Sequence, residues 1–272
     1  MTALRYVWKA GDRGHALDLV YVEGTNGHPY SFGDGTDSRP MELQGFFIGT
    51  IPVTRALWTH VVGFDNNPAV NRGEDLPLEN VSWDEITRPD GFLDRINQSP
   101  VHAEILAQLG GSGGAFRLPT ETEWEYAARG GSSWPDGYRF SGSNDIDTVA
   151  WYDRKHGDHT QPVAQKAPNQ LGIYDMSGNV WEWCQDVFTR DVSSIPGDGT
   201  AFVGNGAERI LRGGCFHNWA MHCTVSKRYE IAREYHDACI GFRIVLSTSK
   251  DMHCSPKSVP VILKERQRAS DA

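Results

Sequence analysis

Residues 117–128 read RLPTETEWEYAA, and they predict the most clearly defined helix of this chain. Thr120 and Glu123 have the spacing of a capping box, in which the two side chains accept hydrogen bonds from each other's backbone N–H groups. Three apolar positions at helical spacing indicate the buried face, namely Trp124, Ala127 and Ala128. The glycine pair at residues 130–131 then ends the helix.

The segment that precedes this helix predicts a strand pair at the start of the domain. Residues 17–22, LDLVYV, alternate as a half-buried strand does, and residues 46–48 offer a partner strand across a glycine-rich loop. We therefore expect the folded domain to begin at Leu17 and residues 1–16 to form an N-terminal extension.

Two more helices are predicted between this strand pair and residue 117. Thr54 is a suitable N-cap for a helix that Gly63 ends. Ser82 and Glu85 repeat the capping-box pattern. The helix that they open is interrupted at residues 88–91, RPDG, and resumes over residues 92–96.

The second half of the chain predicts long loops. Residues 130–206 are rich in Gly, Asp, Asn and Pro, with aromatic residues at short intervals that can anchor the loops. The last strand is expected over residues 241–246, and residues 247–272 have the mixed charge and low aromatic content of a mobile tail. The prediction is a single α+β domain, residues 17–246, with little regular secondary structure.

Composition excludes several classes of function. The formal net charge is -9, and no block of Lys or Arg outweighs the acidic residues, so nucleic acid is not an expected partner. The N-terminus has no apolar signal segment and no stretch is long enough to span a bilayer, which predicts a cytoplasmic protein with no membrane partner. The five cysteines form no CxxC pair, so neither a disulfide framework nor a zinc knuckle is expected.

Seven motifs extend along most of the chain. They are residues 52–54 (PVT), 80–83 (NVSW), 117–127 (RLPTETEWEYA), 168–176 (PNQLGIYDM), 178–183 (GNVWEW), 212–214 (RGG) and 241–243 (GFR). In these motifs and their order the chain resembles the formylglycine-generating enzyme, or sulfatase-modifying factor, superfamily. The resemblance implies one domain with a C-type-lectin-like variant of the α+β fold.

The resemblance also locates the expected active site. The aerobic enzymes of this superfamily carry a serine first, a cysteine fourth and a second cysteine ninth after the Gly-Gly pair, where this chain has Cys215, Asn218 and Cys223. In those enzymes the two thiolates hold monovalent copper, which activates dioxygen to convert a substrate cysteine into formylglycine. The chain is thus a non-standard member that lacks the first active-site cysteine.

Two replacements for the missing cysteine stay open at this point. Cys215 can supply the second sulfur, since the serine that it replaces faces the same pocket. Alternatively, His217, His222 and Cys223 offer two imidazoles and a thiolate suited to iron or copper, provided that the backbone turns between them. The predicted catalytic pocket therefore consists of Cys215, His217, Asn218, His222 and Cys223.

The cysteines also have a structural interpretation. Free cysteine is among the most buried residue types, so Cys215 and Cys223 can also be inert core residues. For Cys184 and Cys239, core packing is the favoured interpretation.

A calcium site is implied by the same resemblance. The superfamily binds a structural calcium ion in the turn around the GNVWEW motif, through positions that correspond to Asp175, Gly178, Val180 and Glu182. Oxygen ligands on a tight turn suit calcium. The alternative is that Glu182 caps loop amides instead.

Function is expected to be that of an oxidoreductase, an oxygen-dependent metallo-oxidase that acts on a peptide cysteine or a small thiol. The alternative is a non-catalytic ligand- or protein-binding module on the same fold. A tailoring enzyme of the sulfur-histidine type is disfavoured, because the iron-binding partner domain with its three-histidine motif is missing from the sequence.

Overall fold

The computed structural model describes residues 3–10, 13–35, 38–111, 113–133, 137–155 and 157–247 of the 272-residue chain. The strands are β1 Ala3–Ala10, β2 Arg13–Val22, β3 Tyr30–Phe32, β4 Arg39–Met41, β5 Phe46–Gly49, β6 Phe116–Arg117, β7 Trp181–Val187, β8 Glu208–Arg212, β9 Arg228–Ala232, β10 Ile240–Gly241 and β11 Val245–Ser247. The helices are α1 Arg55–Val62, α2 Trp83–Thr87, α3 Phe92–Asn97, α4 Pro100–Gln108, α5 Glu121–Ala128 and α6 Ile146–Val149. Short 3-10 turns join several of these elements.

A five-stranded antiparallel sheet joins the two ends of the described chain, in the order β1-β2-β5-β11-β6. The predicted pairing of residues 17–22 with residues 46–48 is confirmed, with Val20 opposite Ile48. Residue 17, where the sequence places the start of the domain, lies inside β2. The preceding β1 pairs along β2 and buries Leu4, Tyr6 and Trp8, so residues 3–10 are part of the main sheet.

A second sheet has the order β10-β7-β8-β9, and it corrects the loop prediction for residues 130–206. Within that stretch lie β7 and α6. The strand β7 was missed because nearly all of its seven residues are buried on both faces, so its sequence lacks the alternation of a half-exposed strand.

The predicted strand over residues 241–246 is also wrong as one element. Ile240 and Gly241 pair in parallel with β7, whereas Val245 and Leu246 pair with β5 and β6 in the other sheet. The three residues between them carry the chain from one sheet to the other, and the Arg243 side chain is fully buried there.

The predicted helix starts are confirmed. The Thr54 side chain accepts a hydrogen bond from the backbone N–H of Leu57 at 3.2 Å, and complete capping boxes occur at Ser82 and at Thr120. Every residue of α5 is buried, so this helix forms the centre of the domain rather than a surface with one apolar face.

A small third sheet pairs β3 with β4. The helices of the described residues are all too short or too polar to cross a membrane. Residues 248–272, which make up nearly all of the predicted tail and include Cys254, lie outside the described part of the chain.

Candidate functional site

The RGG motif fixes the backbone at the entrance to the predicted pocket. Arg212 is fully buried at the end of β8, and its guanidinium forms ion pairs with Glu121 at 3.2 Å and Glu125 at 2.5 Å. Gly213 and Gly214 then adopt positive φ angles of 98° and 74°. A Cβ atom at Gly214 would lie 2.7 Å from the Cys223 sulfur, so glycine is required there.

Three side chains meet directly after this turn: Cys215, His217 and Cys239. One donor atom from each lies within 4.8 Å of the other two, and both cysteines are buried. The Cys239 Sγ lies 3.0 Å from His217 Nδ1. A hydrogen bond with Cys215, and after it burial, raises the pKa of Cys239 above its ordinary value. The arrangement combines two soft sulfur donors with an imidazole.

Asn218 occupies the place of the missing cysteine and positions Cys215. Its Oδ1 accepts hydrogen bonds from the Cys215 backbone N–H and from the Cys215 thiol, both at 3.1 Å. The Asn218 backbone N–H donates in turn to the Cys215 carbonyl at 3.0 Å. The amide therefore fixes the orientation of the neighbouring thiol.

Cys223 lies in a different environment. It is fully buried and packs in an apolar cluster with Phe140, Val149, Ala150 and Tyr152. Burial, and after it the neighbouring Cys215, raises the pKa of its thiol, and its sulfur makes a long contact of 4.0 Å with the Trp219 carbonyl. His222 is half-buried at the end of a 3-10 turn. Neither residue joins the group of three donors in the described structure.

The structure thus unites Cys215 and His217 of the predicted pocket with a cysteine that the sequence analysis assigned to the core. Cys239 is 22 residues from His217, and no local spacing connects the two. The parallel pairing of β10 with β7 brings it there, through a hydrogen bond from the Trp181 N–H to the Cys239 carbonyl. A free cysteine two residues before the GFR motif was the only available signal. Cys184, by contrast, is buried in the apolar core.

The predicted calcium ligands form a hydrogen-bonded, buried network. Both carboxylate oxygens of Glu182 accept hydrogen bonds from the Arg243 guanidinium, at 2.6 and 2.7 Å, and Trp124 Nε1 donates to Glu182 at 2.7 Å. Asp175 Oδ2 accepts from the Ala164 N–H at 2.8 Å, and burial raises the pKa of Asp175 to about 6. Among the described residues, the Glu182 carboxylate therefore accepts hydrogen bonds from an arginine and an indole instead of capping loop amides.

This network fits a calcium ion only in part. The charge of Glu182 is already compensated by Arg243, so a cation at Asp175, Gly178 and Val180 would have to share this carboxylate. The calcium site stays a prediction.

The segment that follows His217 exposes apolar side chains to solvent. Trp219 and Met221 are 68% and 56% exposed, although both are large apolar side chains. The backbone N–H groups of Asp153 and Arg154 donate to the carbonyls of Asn218 and Phe216 at 2.9 and 2.8 Å, so residues 151–155 run beside the pocket segment.

A separate cavity of about 610 Å³ lies near β3 and α5. Its lining includes Glu23, His28, Tyr30, Tyr126 and Arg129, and none of the predicted site residues. It is distinct from the cysteine pocket.

Comparison with known proteins agrees with this architecture. The profile of the sulfatase-modifying factor enzyme 1-like domain matches residues 18–248. The chaperone protein LppX of Paenibacillus barcinonensis is 35% identical over 208 residues, which cover 61% of this chain and 70% of that protein. The formylglycine-generating enzyme of Streptomyces coelicolor is 33% identical over 169 residues, 53% of this chain and 51% of the enzyme.

Among solved structures, Treponema denticola variable protein 1 superposes with a TM-score of 0.70 and 27% identity, over 89% of this chain and 99% of that one. The chain spans only about half the length of the Streptomyces coelicolor enzyme. The profile match covers most of the sequence, and the structure shows the α+β, C-type-lectin-like fold of formylglycine-generating enzymes. The chain therefore belongs to the sulfatase-modifying factor family.

Proposed function

We propose that the protein is an oxidoreductase that oxidises a thiol, carried by a peptide cysteine or by a small molecule, with dioxygen as the oxidant. The observation that carries this proposal is the group of two buried sulfurs and one imidazole directly after the Gly-Gly pair. The similarity to formylglycine-generating enzymes supports the same location for the chemistry. In this proposal the protein carries out the same kind of reaction as those enzymes, but with a different pair of cysteines.

Each residue of the pocket has a role in this proposal. Cys215 is the thiol nearest the entrance turn, and Asn218 holds it in one orientation through two hydrogen bonds of 3.1 Å. His217 Nδ1 lies 3.0 Å from the Cys239 sulfur and adds an imidazole to the two sulfur donors. A copper or iron ion in the pocket would supply the electron transfer to dioxygen.

The substrate would approach past Trp219 and Met221. Both side chains expose apolar surface beside the pocket, where a peptide or a small organic thiol can cover it. The overall charge of -9 supports the exclusion of nucleic acid as a partner.

The proposal also requires reduced cysteines. The four cysteines of the described residues are all free. Free thiols that take part in the chemistry suit a reducing compartment, and we propose that the protein acts in the cytoplasm.

The test is oxygen consumption by the metal-loaded protein. Reduced protein is loaded with monovalent copper or ferrous iron without air, then mixed with aerated buffer that contains cysteine peptides or small thiols, and products are identified by mass. We expect thiol-dependent oxygen uptake that Cys215→Ser abolishes. Cys184→Ala, which alters a cysteine of the apolar core, is the matched control and should retain the activity.

Two results would contradict the proposal. One is the absence of oxygen uptake with every thiol tested, in a protein that is folded and has metal bound. The other is an equal rate in Cys215→Ser. Binding of peptides without turnover would favour the alternative of a binding module.

A further inference from the structure

We propose that Cys215, His217 and Cys239 are the three ligands of a soft-metal site, and that monovalent copper is the ion this site binds. The assignment concerns metal binding, and it holds whether or not a thiol is oxidised there. One ligand is Cys239, which has no counterpart in the pair of cysteines that follows Gly-Gly in the aerobic enzymes. Cys223, which matches the second cysteine of that pair, lies outside the site.

The spacing of the donors fits one ion. Donors bonded to a shared metal at about 2.0–2.3 Å are separated by roughly 3.4–4.0 Å in trigonal or tetrahedral geometry. The three donor atoms lie within 4.8 Å of one another, and the closest measured pair, Cys239 Sγ and His217 Nδ1, is 3.0 Å apart. Small rotations of the side chains are enough to converge on a central ion.

The chemistry of the donors selects the ion. Two sulfurs and one imidazole form a soft set with no carboxylate, which disfavours magnesium, calcium and manganese. Non-haem iron sites of oxygenases use two histidines and a carboxylate, and this group lacks the carboxylate. Monovalent copper prefers thiolates, so the set fits it better than iron.

The backbone holds both sulfurs in place before any ion binds. Cys215 is fixed by Asn218, and the next residue, Phe216, donates its N–H to the Asn179 carbonyl at 3.0 Å. Cys239 donates its N–H to Asp237 Oδ1 at 2.9 Å and accepts from the Trp181 N–H at 2.7 Å. A site on such anchored segments loses little conformational entropy on binding.

His217 leaves an approach to the ion. The two cysteines are buried, whereas His217 is accessible to solvent, as is Trp219 two residues further on. Three protein ligands leave further coordination positions for an exogenous molecule. The site therefore has the form of a reactive centre rather than of a closed structural one.

The experiment is a competition titration of the reduced, full-length protein with monovalent copper against a chromogenic copper chelator, in the absence of air. We expect one equivalent to bind, and Cys215→Ser and Cys239→Ser each to weaken binding by at least about a hundred-fold. Cys223→Ser should bind as the unmodified protein does, and Cys184→Ala is a second control. X-ray absorption at the copper edge should count two sulfur ligands and one nitrogen ligand.

Two controls keep the result interpretable. The melting temperature of each variant shows whether it folds, since both ligand cysteines are buried. His217→Ala provides a third test that leaves both sulfurs in place, and it should remove the nitrogen contribution from the absorption spectrum.

Three outcomes would overturn the assignment: unchanged binding in folded Cys239→Ser, loss of binding in folded Cys223→Ser equal to that in Cys215→Ser, or tighter binding of zinc than of monovalent copper. The proposed function fails separately. Copper binding through these three residues without thiol oxidation would support the metal site and contradict the proposed oxidase activity. Thiol oxidation that persists in Cys239→Ser would support the oxidase activity and contradict the metal site.

Discussion

The buried carboxylates around α5 and β7 and the buried thiols around residue 215 are both desolvated, but they are surrounded by different partners. Glu121 and Glu125 share Arg212, and Glu182 pairs with Arg243, in ion pairs of 2.5–3.2 Å. The sulfurs of Cys215 and Cys239 instead contact an amide, an imidazole and each other, and the Asp237 carboxylate lies beside Cys239. Arginine therefore compensates the charge of these three carboxylates, whereas no ion pair involves the two cysteines among the described residues.

The paired carboxylates stabilise the fold, whereas the thiols belong to the proposed metal site. A buried carboxylate that is paired with arginine holds elements together, because removal of either partner leaves an unpaired buried charge. A buried thiol can instead remain neutral at little cost, and it can bind a soft metal as the thiolate.

The largest effect is expected from Arg212→Met. The substitution leaves Glu121 and Glu125 without the guanidinium that joins them and removes hydrogen bonds to the carbonyls of Val225 and Ser226. Loss of one partner of a buried ion pair typically costs about 3–5 kcal/mol when the other charge is left unpaired. Glu121 keeps its pair with Arg228 and Glu125 keeps its pair with Arg129, so we expect a loss at the lower end of this range. Urea denaturation should show a decrease of this size in the free energy of unfolding.

The control for this prediction is an arginine in an exposed ion pair. Arg5 lies 3.4 Å from Asp18, and both side chains are largely exposed. Exposed pairs contribute about 0–1 kcal/mol, so Arg5→Met should change stability far less. Equal losses in the two variants would show that Arg212 has no special role.

Asp186 provides the next test, because it is a buried carboxylate held without an ion pair among the described residues. Its oxygens accept from the backbone N–H groups of Glu121 and Phe202, at 2.7 and 2.8 Å. Burial, and after it the charge of Glu121, raises the pKa of Asp186 from 3.8 to about 7. The folded protein therefore binds this proton more tightly than the unfolded chain does.

The sign of the pH dependence follows from that shift. Stability from Asp186 is fully present below the unfolded pKa and is lost as the pH rises through the folded pKa, so the free energy of unfolding should fall between about pH 4 and about pH 7. Urea denaturation at several pH values should show a flatter curve for Asp186→Asn. A residual slope of the same sign belongs to Asp175, whose pKa is raised to about 6. An unchanged curve in Asp186→Asn would contradict the assignment.

How much of this could be predicted from the sequence depends on how local each interaction is. The starts of α1, α2 and α5 were predictable because Thr54, Ser82 and Thr120 cap residues only three positions away. The strand β7 was not, because burial of both faces removes the alternation that marks a strand.

The candidate site shows the same limit. Cys215 and His217 could be located because they follow the Gly-Gly pair directly. Cys239 could not, because its position depends on the parallel pairing of β10 with β7. Likewise, the two-histidine alternative depended on a turn that would gather His217, His222 and Cys223, and the structure packs Cys223 against Phe140 and Tyr152 instead.

A smaller effect is expected from calcium. Arg243 already neutralises Glu182, so calcium binding at Asp175, Gly178 and Val180 should be modest. At ten times the dissociation constant we expect a stabilisation of about 1.4 kcal/mol, and hence a rise in melting temperature of roughly 3–6 °C. Thermal unfolding with calcium and with a chelator measures it, and Asp175→Ala is the matched variant. Identical melting temperatures would show that Arg243 is the only counter-ion.

The smallest effect on stability is expected from Trp219→Ala at the pocket rim. The side chain is 68% exposed, so its removal should change the free energy of unfolding by no more than about 0.5 kcal/mol. If the thiol substrate covers this surface, the Michaelis constant for peptide thiols should rise several-fold while copper affinity stays the same. Val203→Ala, which alters an apolar side chain 86% exposed in the loop after β7, is the control and should change neither quantity. A parallel loss of copper affinity in Trp219→Ala would place the indole in the metal site and not on the path of the substrate. The residues that bind the ion could then no longer be separated from those that bind the thiol.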